Sequence, residues 1–143
     1  MTKILLPVDG SKSALSAARK MIELAKLWAE SPEVTPLYVH LPIPSVRGVG
    51  LVIGKSAVQR YYKEEADAAL EPVLKLLGKA GFTAKPAMEV GPIAETIVSY
   101  AKRNKMDLIC VGTRGMTATG NLVMGSVATK VLHLADTPVI VVR

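Results

Sequence analysis

Apolar residues in this chain fall into two kinds of run: short continuous blocks, and longer stretches where they recur every three or four positions. Residues 3–9 (KILLPVD) form a nearly unbroken apolar block, as expected of a strand buried on both faces in a parallel sheet. Asp9-Gly10-Ser11 turns the chain, with Ser11 placed as a helix N-cap. From there to about residue 30, Ala14, Ala18, Met21, Ile22, Ala25 and Trp28 recur at helical spacing. Residues 34–39 read as a second strand. A helical pattern returns over residues 56–79 with Tyr62, Ala66, Ala69, Leu70, Val73, Leu74 and Leu77. Pro72 is expected to kink or split it, because the ring removes one backbone bond. Gly81 ends this helix, and residues 83–90 make a third strand. Gly91-Pro92 opens a helix with a stripe of Ile93, Ile97, Tyr100 and Ala101. Residues 107–111 form a fourth strand. A last helix starts near Gly125 and Ser126, with a stripe of Val127, Val131, Leu134 and Ala135, and residues 138–143 close the chain as a fifth strand.

Strand and helix therefore alternate from end to end, with no linker, repeat or low-complexity segment. The pattern predicts an α/β fold, a single doubly wound five-stranded parallel sheet with helices on both faces, residues 1–143 forming one domain. The expected strand order is 3-2-1-4-5.

Composition narrows the function classes. Of 143 residues, half are hydrophobic and 21% are charged, the balance of a folded domain with a real core. Met1-Thr2-Lys3 leads straight into the first strand with no secretory pattern, and no apolar run approaches a membrane span, so the expected compartment is the cytoplasm. The single cysteine, Cys110, excludes an intrachain disulfide and a multi-cysteine metal site, and its apolar strand predicts a buried, inert thiol. The net charge of +6 raises nucleic acid as a partner. The cationic residues are dispersed, however, and the cluster Lys102-Arg103-Lys105 carries no interleaved aromatics, so a general pull on anionic ligands is the better expectation.

Two glycine-rich stretches could carry chemistry. In residues 48–56, GVGLVIGKS, a Walker A loop would need four residues between its first glycine and Gly-Lys-Ser, whereas Gly50 leaves three and Gly48 leaves five. The dinucleotide fingerprint fails as well, since the third glycine comes one residue late. A loop flanking a pocket fits residues 41–55 better. The second stretch, residues 106–127 (MDLICVGTRGMTATGNLVMGSV), runs from an apolar strand through a polar glycine loop into a helix start. Glycines admit a ligand close to the backbone, and the free N–H groups of a helix start attract anions. In an open parallel sheet the ligand crevice lies beyond the carboxyl ends of the strands where their order reverses. If the first and fourth strands are neighbours there, Asp9 and Gly112 face one crevice. Asp9 could then accept from ribose hydroxyls or hold a metal-bound water, or it could merely stabilise its turn. Arg114 adds a positive charge, and Thr117, Thr119 and Asn121 are small and polar.

The spacing Gly112-x2-Gly115-x9-Gly125-Ser126 resembles the nucleotide-binding signature of universal stress proteins. The resemblance extends to ILLPVDGS, PLYVH, DLICVGTRG and TPVIVVR and covers essentially the whole chain, residues 41–55 least. It implies a single-domain α/β fold, usually homodimeric, whose ATP-binding branch carries this spacing. By position, it implies that Asp9, with Pro7 and Val8 before it, meets the ribose or the metal–phosphate region, and that Val39 meets the adenine through its backbone. Gly112, Gly115, Gly125 and Ser126 would cradle the phosphates, with Val127 continuing the contact and Arg114 at a position that varies in the family. The implied ligand is ATP, or AMP or ADP, with Mg2+ or Mn2+ held through the phosphates. Where members often have Thr or Ser, this chain has Ala128, which removes one side-chain phosphate contact.

Three functions follow as expectations. The first is an adenine-nucleotide-binding stress or signalling module that answers to a protein partner not named by the sequence. The second is a slow ATP hydrolase or phosphotransferase, which would need a group to position a nucleophile. His133 lies in the last helix and His40 at the end of the second strand, toward the adenine rather than the phosphates. The third is a protein-interaction dimer that binds no nucleotide. The uniformly apolar Val139–Val142 strand, if it is a sheet edge, offers an open ladder to a second copy.

Overall fold

The computed structural model describes residues 1–44, 54–113 and 124–143. Within them the chain runs β1 (Lys3–Pro7), α1 (Lys12–Ala25), β2 (Glu33–His40), α2 (Lys55–Lys79), β3 (Ala87–Val90), α3 (Ile93–Arg103), β4 (Leu108–Gly112), α4 (Ser126–Leu134) and β5 (Val139–Val142). The five strands form one parallel sheet in the order β3-β2-β1-β4-β5. The order reverses between β1 and β4, in agreement with the expected order 3-2-1-4-5.

Alternation along the central strands divides the core in two. Ile4 and Leu6 of β1 pack toward α1 and α2, with Ala14, Ala18, Met21, Leu70 and Leu77. Leu5, one position out of phase, packs toward α3 and α4 with Leu37, Ile97, Ile109 and Val131. Every central strand is therefore apolar at successive positions, which is why its sequence shows a block rather than an alternation. Cys110 is fully buried on the α1 side, and burial alone pushes its thiol up to about 12. It stays protonated and unreactive.

Several boundaries differ from the sequence pattern, each for a local reason. Helix α1 stops at Ala25 rather than near residue 30. Beyond it, Leu27 and Trp28 donate to Leu24 and Ala25, so the chain tightens into turns. Trp28 still packs on the core, but from this turn rather than from the helix. Helix α2 is not split at Pro72 and runs unbroken for 25 residues. Pro72 and Ala68 are both exposed, so the carbonyl that Pro72 cannot engage meets water instead of the core. The third strand is only Ala87–Val90, and upstream of it Ala84 makes a single bridge to Val34. Pro86 has no N–H with which to continue a ladder between them. On α4 the buried positions are Ala128 and Val131, and Leu134 is exposed. Among the described residues no helix is long and apolar enough to cross a membrane.

Candidate functional site

A cavity of about 440 Å3 opens at the carboxyl ends of β1, β2 and β4, where the strand order reverses. The register explains why the space exists. Pro7 at the end of β1 pairs with Leu37, so Tyr38, Val39 and His40 continue past β1 and overhang its end. The floor is apolar: Leu37, Val39, Ile93, Ile97, Val111 and Ala128 line it. Polar groups enter from the rim through Asp9, Ser11, Thr113 and Ser126.

The β1–α1 turn supplies the first part of that rim. Gly10 sits at φ 83°, a left-handed conformation that side chains disfavour, and this reverses the chain above β1. The Ser11 N–H donates to Asp9 Oδ1 at 2.9 Å, and Ser11 Oγ accepts from the Ala14 N–H at 3.2 Å. Asp9 therefore does hold its turn. Its second oxygen takes no hydrogen bond among the described residues.

The second part is the start of α4. Gly125 is the N-cap and offers no side-chain cap, and its own N–H donates to the Thr113 carbonyl. The N–H groups of Ser126, Val127 and Ala128 have no acceptor among the described residues. No acidic residue occupies this first turn. The result is a cluster of donors without an acceptor among the described residues, at the positive end of a helix and beside an apolar cavity.

Eight residues singled out by sequence come together around this cavity: Pro7, Val8, Asp9, Val39, Gly112, Gly125, Ser126 and Val127. Arg114 and Gly115, with Thr117, Thr119 and Asn121, lie outside the described residues. Gly112 has a further reason to be glycine. A Cβ there would lie 2.7 Å from the Ser13 carbonyl oxygen and would also collide with the Ser13 hydroxyl, so β4 and the start of α1 can approach only without one.

His40, which the sequence placed toward the adenine end, lines the cavity, while His133 is exposed on α4 and does not. Tyr38, Leu41, Thr113, Ile93 and Ile97 also line it and carried no signal. Tyr38, Ile93 and Ile97 are ordinary strand and helix positions, and Leu41 and Thr113 lie just past the ends of β2 and β4; they are recognisable only once β2 is seen to overhang β1. Burial, with nearby Glu65, pushes the Tyr38 phenol above its usual range, so it stays neutral near pH 7. Among the described residues no group of three or more His, Cys, Asp or Glu side chains could hold a metal.

This parallel sheet has a ligand-sized crevice at its switch point, the place where open α/β sheets bind ligands, with the start of α4 on its rim. The chain belongs to the universal stress protein family, whose model matches residues 1–143. It is 36% identical to universal stress protein MJ0531 of Methanocaldococcus jannaschii, over 99% of this chain and 81% of that one. The solved structure of MJ0577, a universal stress protein of the same organism, superposes with a TM-score of 0.83 at 29% identity. That match covers 99% of this chain and 94% of MJ0577. Two more distant structures share the fold. One is an Arabidopsis thaliana family member with AMP bound, with a TM-score of 0.72 at 18% identity over 99% of this chain and 91% of that one. The other is a universal stress protein in complex with cAMP, with a TM-score of 0.66 at 23% identity over 99% and 97%.

Proposed function

We propose that the cavity binds an adenine nucleotide, and that the protein is a cytoplasmic stress-response or signalling module which dimerises through β5 and reports nucleotide occupancy to a protein partner. The observation that carries this is the start of α4, whose first N–H groups have no acceptor among the described residues. Three backbone donors and the Ser126 hydroxyl stand at the mouth of an apolar slot, which suits a flat base below and phosphates above. Proteins of this fold with AMP and cAMP bound add support. ATP, ADP and AMP share the chemistry the slot would recognise. Gly112, Arg114, Gly115, Gly125, Ser126 and Val127 are the proposed phosphate contacts, with Val39 and the β1 end, Pro7 to Asp9, around the base and ribose.

A divalent ion, Mg2+ or Mn2+, fits this site only as a passenger on the phosphates. Among the described residues Asp9 is the one carboxylate lining the cavity, and a single carboxylate is typical of magnesium held mainly by phosphate and water. Bound there, the ion would neutralise phosphate charge. Slow hydrolysis is the second reading. Against fast turnover, the titratable side chains lining the cavity among the described residues are Asp9, Tyr38 and His40, and none is paired with another as acid and base. A dimer acting without nucleotide is the third reading, and the free donors of α4 weigh against it.

Calorimetric titration with ATP, ADP and AMP in the presence of magnesium tests the proposal. The companion variant is Ser126→Asp, which places a carboxylate in the first turn of α4. An acidic residue there favours the helix but repels phosphate. The wild type should bind, and the variant should fold yet bind at least about tenfold more weakly, since like charges a few ångströms apart cost a kcal/mol or more. If none of the three nucleotides binds, the proposal fails. If the variant binds equally well, the phosphates lie elsewhere.

A further inference from the structure

His40 stands at the end of β2, on the same side of the strand as Tyr38, where β2 has outrun β1. Its ring is wedged among three tyrosines in edge-to-face contacts: Tyr62 at 4.9 Å, Tyr61 at 5.7 Å and Tyr38 at 5.9 Å between centroids. Tyr62 is buried, and its hydroxyl accepts from the Ile43 N–H at 2.9 Å, which ties the chain leaving β2 to helix α2. The imidazole therefore has little freedom to turn. Its Nδ1 lies 2.6 Å from the Leu41 carbonyl oxygen. A carbonyl oxygen can only accept, so Nδ1 carries the proton, and in the neutral ring Nε2 is left as a bare acceptor. Nε2 takes no hydrogen bond among the described residues, although His40 lines the cavity.

We infer that His40 is a further ligand contact that selects the base, its Nε2 accepting a hydrogen bond from the exocyclic amine of adenine. The inference rests on the nucleotide reading above and deepens it. An amine at position 6 of a purine is a donor and satisfies a fixed acceptor. A 6-oxo purine puts an acceptor there instead, so two lone pairs face each other with no proton between them. Rejection by a site built this way exceeds what shape alone gives, because the mismatch leaves desolvated polar groups unpaired. Tyr62 acts as a positioning residue, since it fixes both the ring and the strand exit without itself meeting the base.

AMP and IMP differ at this edge and are otherwise alike, so their ratio of dissociation constants isolates the contact. The wild type should prefer AMP by about tenfold, because a 6-oxo purine leaves Nε2 facing a second acceptor. His40→Phe keeps an aromatic ring among the tyrosines but removes both nitrogens. It should weaken AMP, which loses an acceptor, and tighten IMP, which no longer faces a lone pair, so that the ratio comes close to one. His40→Gln restores an acceptor of similar reach and should recover part of the preference. Circular dichroism melts confirm that both variants fold, and either one alone decides the point. If the wild type does not discriminate, or if His40→Phe keeps the wild-type ratio, the inference is overturned while the nucleotide reading stands. If wild-type protein binds neither AMP nor any other adenine nucleotide, both fall together.

Discussion

Gly112 ends β4 where that strand passes the first turn of α1, and two physical demands meet in it. A ligand phosphate would need its backbone accessible, and the fold needs its missing side chain. The second demand is independent of any ligand, since a methyl there would sit 2.7 Å from the Ser13 carbonyl oxygen, which is main chain and cannot swing away. Gly112→Ala should therefore destabilise the protein by roughly 2 kcal/mol, the usual range for forcing atoms into a packed site. Urea denaturation without nucleotide measures this, and an unchanged midpoint would return Gly112 to a purely ligand-facing role. The sequence alone could not separate the two demands, because the neighbour that excludes a side chain lies on another element. Asp9 was open in the same way. Its bond to the Ser11 N–H answers the question of the turn, and its second oxygen remains available to a ligand. His40 was legible as a strand-end residue at the crevice, but the tautomer inferred for it depends on a contact with Leu41 and on tyrosines of α2.

At the scale of elements, strand and helix identity came from periodicity and was largely readable, whereas the ends were set by hydrogen bonds that periodicity does not record. The C-termini of α2 and α3 show this well, because they end in the same motif with different residues. After α2, the Phe82 N–H reaches back to Leu77 and the Gly81 N–H to Gly78, with Gly81 at φ 80°. After α3, the Met106 N–H reaches Ala101 and the Lys105 N–H reaches Lys102, with Lys105 at φ 52°. Both are Schellman closures, which favour glycine at the left-handed position. Gly81 announced its helix end in the sequence, and Lys105 disguised its own. The lysine is exposed and makes no ion pair among the described residues, so its side chain gives little back for the strained backbone. Lys105→Gly should raise stability by about 0.5–1 kcal/mol, the left-handed penalty being offset in part by the greater entropy of an unfolded glycine. A higher urea midpoint with an unchanged slope would confirm it, and a lower midpoint would show that the lysine holds something else. Pro72 makes the opposite point. It looked like a break and is accommodated because its unbonded partner carbonyl faces water, and facing is a tertiary property.

At the scale of the whole molecule, the strand order leaves β3 and β5 as the two sheet edges, and they are protected differently. β3 is short, follows Pro86, and carries Glu89 in an ion pair with Arg103, all features that blunt an edge. β5 is Val-Ile-Val-Val, with its first three residues half-buried and without a charge of its own. An edge of this kind is open to pairing with another chain, which is the physical basis of the proposed homodimer. The ladder to β4 shows which groups remain free. The Ile109 N–H donates to the Pro138 carbonyl and the Thr113 N–H to the Val142 carbonyl. In a parallel pair such residues alternate, so 138, 140 and 142 bond inward while the backbone groups of Val139 and Val141 point away from the sheet. Val141→Pro therefore deletes an outward donor and spares the β4 ladder, a substitution that edge strands tolerate. Sedimentation of the wild type at micromolar concentration should give twice the 15.2 kDa chain mass. The proline variant should sediment as the single chain with its circular dichroism spectrum intact. A wild-type monomer would remove the dimer from the proposed function. A proline variant that remains dimeric would keep the dimer but move its interface off β5, to a surface such as the α4 face that exposes Leu132 and Leu134.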